Sequence, residues 1–333
     1  HYQPHLPTEL GFYDLRLNQT FKEQISLAQE AGIYGFMFYH YWFKGKRLLE
    51  QPLDNFLKDS TLDFPFCLCW ANETWSRRWS GEEKEILIKQ EYSIEDHRYH
   101  FESVISKFIA DERYIKVDGK PVIAIYKTED IPQIECFSKL WREMAQAQGF
   151  PDLYFIKIES FNRTTDPQKI GFDAALDFQP NWEIMRQHLF HLNLFDKVIT
   201  YFVSNPFLSK RIRKIIQNRF GKDYLIIDFK GYLNSITKYH VQNKYKKYPC
   251  IMPGWDNTAR RKKNGVIFYN SSPENYKKWL DFVLNTFKPF SKQENFIFIN
   301  AWNEWAEGNH LEPCVKWGNR FLQVTKEVLR NNV

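Results

Sequence analysis

Two glutamates three residues apart, Glu304 and Glu307, stand in the segment WNEWAEGNHLEP beside Trp302, Asn303 and Trp305, directly after the apolar run FIFI. Ionisable groups set next to two indoles at the end of a core strand point to use rather than to solvation. The chemistry such a set supports is the cleavage of sugars. Indole faces stack on pyranose rings, amides hold hydroxyls, and a carboxyl pair moves a proton while stabilising positive charge at the anomeric carbon. A surface pair at the end of the last strand is the competing reading, and the flanking tryptophans argue against it. Strand parity puts Glu304 with Asn300 and Trp302 on one side and Glu307 on the other. The two carboxyls therefore converge only if the chain leaves the strand by residue 305 or 306 and turns helically, which brings residues three apart onto one face. A close pair would also raise one pKa, keeping one acid protonated at neutral pH while the other stays ionised.

Positioning such groups takes a scaffold, and the chain has a regular one. Short apolar runs read as strands at 32–42 (GIYGFMFYHYW), 64–72 (FPFCLCWAN), 120–127, 153–160, 174–180, 250–257 and 295–304. Helical stretches lie between them, such as the one over 18–32, where Leu17, Phe21, Ile25 and Ala28 fall at helical spacing before a glycine stop. Continuous apolar strands alternating with helices predict an α/β fold with a parallel sheet covered on both faces. The expected architecture is a (β/α)₈ TIM-type barrel. Seven strands are visible and the first helix precedes the first of them, so the missing strand is expected upstream of His1. A doubly wound open sheet is the alternative, and the sequence offers no G-x-G turn to support it.

In a barrel of this kind the reactive groups come from the C-terminal ends of the strands. Those ends carry Tyr39, His40, Tyr41 and Trp42, then Trp70, Asn72 and Glu73 with Trp75, Arg77, Arg78 and Trp79 in the next loop. Further on stand Glu159, Gln179, Trp255, Asp256 and Asn257, and finally the acid pair with its neighbours. Seven of the eleven tryptophans fall on these ends or loops, which argues for a carbohydrate cleft more strongly than composition does. Simpler roles stand beside the binding ones. Trp42 and Trp70 also read as caps on the barrel core. His40 also reads as a structural histidine, Glu73 as a loop ion pair with Arg77 or Arg78, and Asp256-Asn257 as a turn or helix cap.

The 333 residues, 43% hydrophobic and 26% charged, suffice for one large domain spanning 1–333. The aromatic share of 17% includes 29 Phe and 18 Tyr, which an AT-rich coding sequence would favour; it would not favour Trp. Residues 181–247 break the βα rhythm and carry 13 Lys and Arg against 4 Asp and Glu, including the run LSKRIRKIIQNRFGK. This segment is expected to be an inserted helical subdomain with a solvated basic face, with peripheral contact to a membrane surface as the alternative. The net charge of +6 permits an anionic glycan or a phosphate-bearing headgroup as partner. Nucleic-acid binding is not expected, because the basic residues gather in one insertion without a recognised motif. Five cysteines without a C-x-x-C pair predict neither a disulfide framework nor a zinc site, so no metal or cofactor is expected and a reducing, cytoplasmic setting fits. No run of eighteen apolar residues occurs, the N-terminus HYQPHLPTEL lacks a signal-peptide pattern, and no required protein partner is evident.

Several stretches together resemble the WbsX-like proteins, which group with glycoside hydrolase family 99-like domains. They are HYQPHLP, GIYGFMFYHYWFKGKRLLEQPL, DFPFCLCWANETWSRRW, RYIKVDGKPVIAIY, PGWDNTARR and NAWNEWAEGNHLEP. The resemblance implies a (β/α)₈ barrel and an association with bacterial surface polysaccharides, including lipopolysaccharide biosynthesis. Family 99 enzymes are similar to retaining endo-α-mannosidases that pass through a 1,2-anhydro sugar. In their N-E-W-x-E-G motif the first glutamate is the base toward the sugar 2-hydroxyl and the second is the general acid/base, which implies those roles for Glu304 and Glu307. Ala306 stands where family 99 proper has a histidine, implying a different sugar at the cleavage point. The expected function is an endo-acting glycoside hydrolase, with an O-antigen or capsule glycosyltransferase and a non-catalytic glycan-binding barrel as alternatives. Against transfer, no D-x-D metal motif occurs.

Overall fold

The structure is a computed structural model that describes residues 5–77, 82–160, 164–188, 224–238, 244–261 and 265–331. All seven expected strands are present: β1 (Phe36–Phe43), β2 (Phe66–Trp70), β3 (Lys120–Ile125), β4 (Tyr154–Glu159), β5 (Ala174–Asp177), β6 (Lys247–Ile251) and β7 (Phe298–Ile299). Each pairs in parallel with the next in chain order, for example Tyr39 opposite Cys69 and Ile156 opposite Ala174. The helices lie between and around them: α1 (Asn18–Glu30) before β1, α2 (Gln51–Lys58), α3 (Ile94–His100), α4 (Ile134–Ala147), α5 (Trp182–Gln187), α6 (Phe229–Lys238), α7 (Pro273–Thr286) and, last, α8 (Arg320–Asn331). A sheet whose order follows the chain is wound in one direction, as in a TIM-type barrel, whereas a doubly wound sheet reverses at a switch point.

Burial explains the sequence pattern. Every residue of β2 and β4 is buried, because helices cover one face and the barrel interior the other. One core cluster gathers β1–β5 with α2 and α4, and a second gathers β6 with α6, α7 and α8. Ile33 and Trp302 touch both. Gly35 permits the close approach of β1 to the chain before β2, since a Cβ there would lie 2.5 Å from the Pro65 carbonyl oxygen.

Two expectations change. The last strand, read as buried over 295–304, is regular only at Phe298–Ile299 and is half-buried there. Among the described residues it pairs with β6 and not with β1, so the curled sheet is open at that seam. Side chains span the opening: the Phe36 and Trp302 rings meet at 5.2 Å. The chain before α1 also crosses to this side, with Val315 N–H donating to Leu6 O at 2.8 Å. The second change concerns residues 181–247, which are not purely helical. Tyr224–Asp228 is a strand paired in parallel with Gly265–Tyr269, as its β-branched run favours, and Lys247 already belongs to β6. Residues 189–223, which hold the basic run, lie outside the described residues. Among the described residues no helix is long and apolar enough to cross a membrane.

Candidate active site

Beyond β7 the chain forms a small hairpin, Asn303–Glu304 against Asn309–His310, whose tip is a 3₁₀ turn over Trp305–Glu307. This is the departure from the strand that the opposite parity of the two glutamates demands. Gly308 ends the turn at φ +57, in the left-handed region that favours glycine, and a Cβ there would meet Asp256 backbone and side-chain atoms at 3.1–3.2 Å. The close approach lets Asp256 N–H donate to Glu307 O at 2.7 Å, tying the turn to the segment after β6.

That segment supplies Arg260. Its Nη1 lies 3.1 Å from Glu307 Oε1 and 3.8 Å from Glu304 Oε1, so these two oxygens are at most 6.9 Å apart. Burial raises the pKa of both carboxyls. Glu307 is pushed up to about 7, first by burial and then by the charge of Glu304, with Arg260 and Arg261 only partly offsetting them. For Glu304 burial again leads and Arg260 opposes it. The arrangement can hold one acid protonated and one ionised near neutral pH, bridged by a fixed cation.

Three tyrosines form the neighbouring wall. Tyr39 and Tyr126 meet edge to face at 6.0 Å, and Tyr41 packs against Trp75 at 5.3 Å. Burial raises all three phenols, Tyr41 to about 12, and the charge of Glu304 adds to Tyr39 and Tyr41 while that of Glu307 adds to Tyr126. Tyr39 nevertheless keeps 39% of its surface open to solvent. These hydroxyls stay protonated and can donate to a polar ligand.

The structure separates the remaining sequence candidates. Tyr39, Tyr41, Glu304 and Glu307 come together, with Glu73 within electrostatic reach of Glu307. His40, Trp42 and Trp70, expected as ligand contacts, do not join them and are buried. Alternation along β1 turns His40 and Trp42 toward the helices, where Trp42 stacks on His100 at 4.5 Å and His40 Nε2 lies 2.6 Å from His100 Nε2. Trp70 is enclosed by His100, Phe137 and Trp141. Asn72 is also buried, clamping β2 to the end of β3 through Lys127 N–H and O. Glu73 pairs with Lys127 rather than with Arg77, which pairs with Glu85.

Asn257 is buried and accepts Val266 N–H, while Asp256 Oδ1 accepts from Thr258 N and Oγ1, the turn-capping role. Trp255 packs on the second core cluster and Trp302 on both clusters. Trp305 lies on His310 at 3.8 Å and donates to Glu312 Oε2, and Asn303 donates to Tyr13 OH. Glu159 pairs with Lys247, and Gln179 accepts from Tyr232 OH. Arg78 and Trp79 lie outside the described residues. Sequence reasoning missed Tyr126 and Arg260. Tyr126 directly follows the last residue of β3, and Arg260 sits four residues after Asp256, so counting one residue past each strand and one turn past each motif would have found them.

Fold and site together define a parallel barrel of the TIM type whose mouth carries an acid pair, a bridging arginine and a tyrosine wall. Residues 1–325 match the family described as Glycosyltransferase WbsX, and the chain belongs to that family. It is similar to the protein described as "Uncharacterized protein WxcX" of Xanthomonas campestris pv. campestris strain B100, at 34% identity over 330 residues, covering 99% of this chain and 44% of the relative. WxcX from another strain of that pathovar matches to the same extent. The chain therefore spans less than half the length of these curated relatives. Among solved structures, a glycoside hydrolase-like protein aligns with a TM-score of 0.58 at 14% identity, covering 98% of this chain and 89% of that one. The GH99 endo-alpha-mannosidase from Bacteroides thetaiotaomicron aligns with a TM-score of 0.54 at 14% identity, covering 99% and 83%. At such identities the likeness is one of fold.

Proposed function

We propose that this chain is a glycan-cleaving enzyme acting inside a bacterial surface polysaccharide at a mannose-like or deoxy-sugar residue, with retention of configuration. The observation that carries the reading is Glu307, raised to about 7 beside Glu304 and bridged to it by Arg260. Glu307 in its protonated form donates to the departing glycosidic oxygen. Glu304 takes the proton of the sugar 2-hydroxyl, whose oxygen attacks the anomeric carbon and closes a 1,2-anhydro ring. Water then opens that ring at the anomeric carbon, losing its proton to Glu307 while Glu304 returns the other to O2. A substrate oxygen replaces the usual carboxylate nucleophile, so the carboxyl spacing of ordinary retaining enzymes does not apply. Tyr39, Tyr41, Tyr126 and Trp75 line the approach and bind the ring and its hydroxyls. The basic run within 189–223 would meet the anionic surface that carries such a glycan.

The test is release of reducing ends from surface polysaccharides of the source bacterium. Glu304→Gln and Glu307→Gln should each lower turnover by about 10²–10⁴-fold while calorimetry still detects glycan binding. Wild-type turnover in both variants would remove the assignment. The family's description supports a second reading, glycosyl transfer. Tight binding of a nucleotide-sugar, with no reducing ends released, would favour it.

A further inference from the structure

Behind Trp305 the fold gathers three side chains that glycan cleavage does not use. His5, His310 and Cys314 each offer a ligand atom, and these atoms all lie within 4.8 Å of one another. His310 and Cys314 are buried and His5 is partly so. The sequence reading expected no metal because the cysteines show no paired spacing, but His5 joins the other two only through the fold, across the seam between the ends of the sheet.

The hydrogen bonds around the triad prepare it for a cation. His310 Nδ1 lies 2.9 Å from the Glu312 carbonyl oxygen, which can only accept. Nδ1 therefore carries the proton, and Nε2 turns its lone pair toward His5 Nδ1, 3.1 Å away. A ring fixed through its other nitrogen by a carbonyl is the usual support of a metal-bound histidine. Trp317 N–H donates to Cys314 O at 3.2 Å, closing the turn that holds the thiol. Backbone contacts hold the two segments together: Pro7 bridges to Cys314, and Thr8 N–H donates to Pro313 O. Nearby charges are divided, with Lys316 opposing a cation at His5 and Asp256 favouring one.

We propose that His5, His310 and Cys314 form a binding site for a zinc-type divalent cation, with water as fourth ligand, that clips the chain before α1 to the loop behind Trp305. Tetrahedral zinc sets two nitrogens about 3.3 Å apart and a nitrogen and sulfur about 3.6 Å apart. The observed nitrogen pair, 3.1 Å apart, is close to that spacing, and the sulfur lies within 4.8 Å of both nitrogens. Because the Trp305 ring lies on His310 at 3.8 Å, the bound cation would also steady the turn that carries Glu307.

The test uses the whole chain with Cys136, an exposed thiol, replaced by serine. After chelator treatment it is titrated with Zn(II) by calorimetry and with Co(II) by absorption. One equivalent should bind, and Co(II) should show a near-ultraviolet thiolate charge-transfer band. Cys314→Ser should abolish that band, and His5→Ala should weaken Zn(II) binding by more than the roughly 10–100-fold that loss of a supporting residue costs. His5 lies outside the core, so its variant remains informative if Cys314→Ser fails to fold. Zn(II) binding unchanged in His5→Ala, absence of binding, or Co(II) bound without the band would overturn the proposal and leave a plain imidazole–imidazole hydrogen bond.

Discussion

Two aromatic clusters grow from the same strand and have opposite fates. Along β1, Tyr39 and Tyr41 face the mouth, where they keep company with Tyr126, Glu304 and Glu307. His40 and Trp42, their immediate neighbours, face the helix layer and close with Trp70, His97, His100 and Trp141 into a buried shell. Both clusters are rich in rings and both hold titratable groups displaced by burial. The difference lies in what burial does to each. In the mouth it raises carboxyl pKa values beside solvent, where a proton can be exchanged with a ligand. In the shell it lowers imidazole pKa values out of reach of anything but protein. A perturbed group signals function only where something can reach it.

The sharpest way to break this contrast is to empty the shell. Trp70 is fully enclosed, and truncating it leaves a cavity among His100, Phe137 and Trp141. Trp70→Ala should cost about 3–5 kcal/mol of stability, measured by denaturant unfolding. A cost near that of an exposed substitution would mean that Trp70 is a ligand platform after all.

Acid and alkali should separate the two clusters next, because their linkages have opposite sign. Burial lowers His40 to about 3 and His97 to about 4, from an unfolded value of 6.5. Below 6.5 the unfolded chain therefore binds more protons, and the stability these histidines contribute, complete above that pH, is lost as the pH falls toward 3. Glu307 runs the other way. Its folded value of about 7 exceeds the unfolded 4.5, so its contribution is complete below 4.5 and is lost as the pH rises through 7. Unfolding midpoints from pH 4 to 8 should show Glu307→Gln flattening the decline on the alkaline side and leaving the acid side unchanged. An alkaline slope equal to that of the wild type would mean that Glu307 is not held protonated by its surroundings.

Much of this was legible before any fold was known, and the limits have physical causes. The strands were readable because apolar runs of strand length punctuate the chain, and the need for a turn at 305–307 followed from the opposite parity of Glu304 and Glu307. The same parity, applied to Tyr39, His40, Tyr41 and Trp42, would have divided them into two faces; treating all four as one strand end merged a wall of the mouth with the shell behind it. Asn72 misled for a different reason. An amide at a strand end can serve a ligand or the next strand equally well, and only the position of Lys127 decides. Local counting reaches Arg260 as a candidate but not its partners, and His5 lay beyond local reading altogether, since each meets its partners from a distant part of the chain. The open seam beside β7 also belongs to tertiary structure: an apolar run of strand length says nothing about whether a partner lies along both edges.

The finest test falls on the mouth itself and removes one oxygen. Tyr39 is part of the tyrosine wall that solvent reaches, and its ring packs edge-on against Tyr126. Tyr39→Phe keeps that packing, so stability should stay within about 0.5 kcal/mol of the wild type. What it loses is a donor held protonated by its surroundings and aimed at a region that also feels the charge of Glu304. A hydrogen bond to a neutral ligand group contributes about 0.5–1.5 kcal/mol, so glycan affinity should fall roughly 2- to 13-fold. The matched change in the shell, Trp42→Phe, should reverse the pattern, since the indole donates to Asp96 and stacks on His100 without facing the mouth. Calorimetry and unfolding on the same two variants decide the matter: if Trp42→Phe weakens glycan binding as much as Tyr39→Phe does, the two faces of β1 are not separate in function.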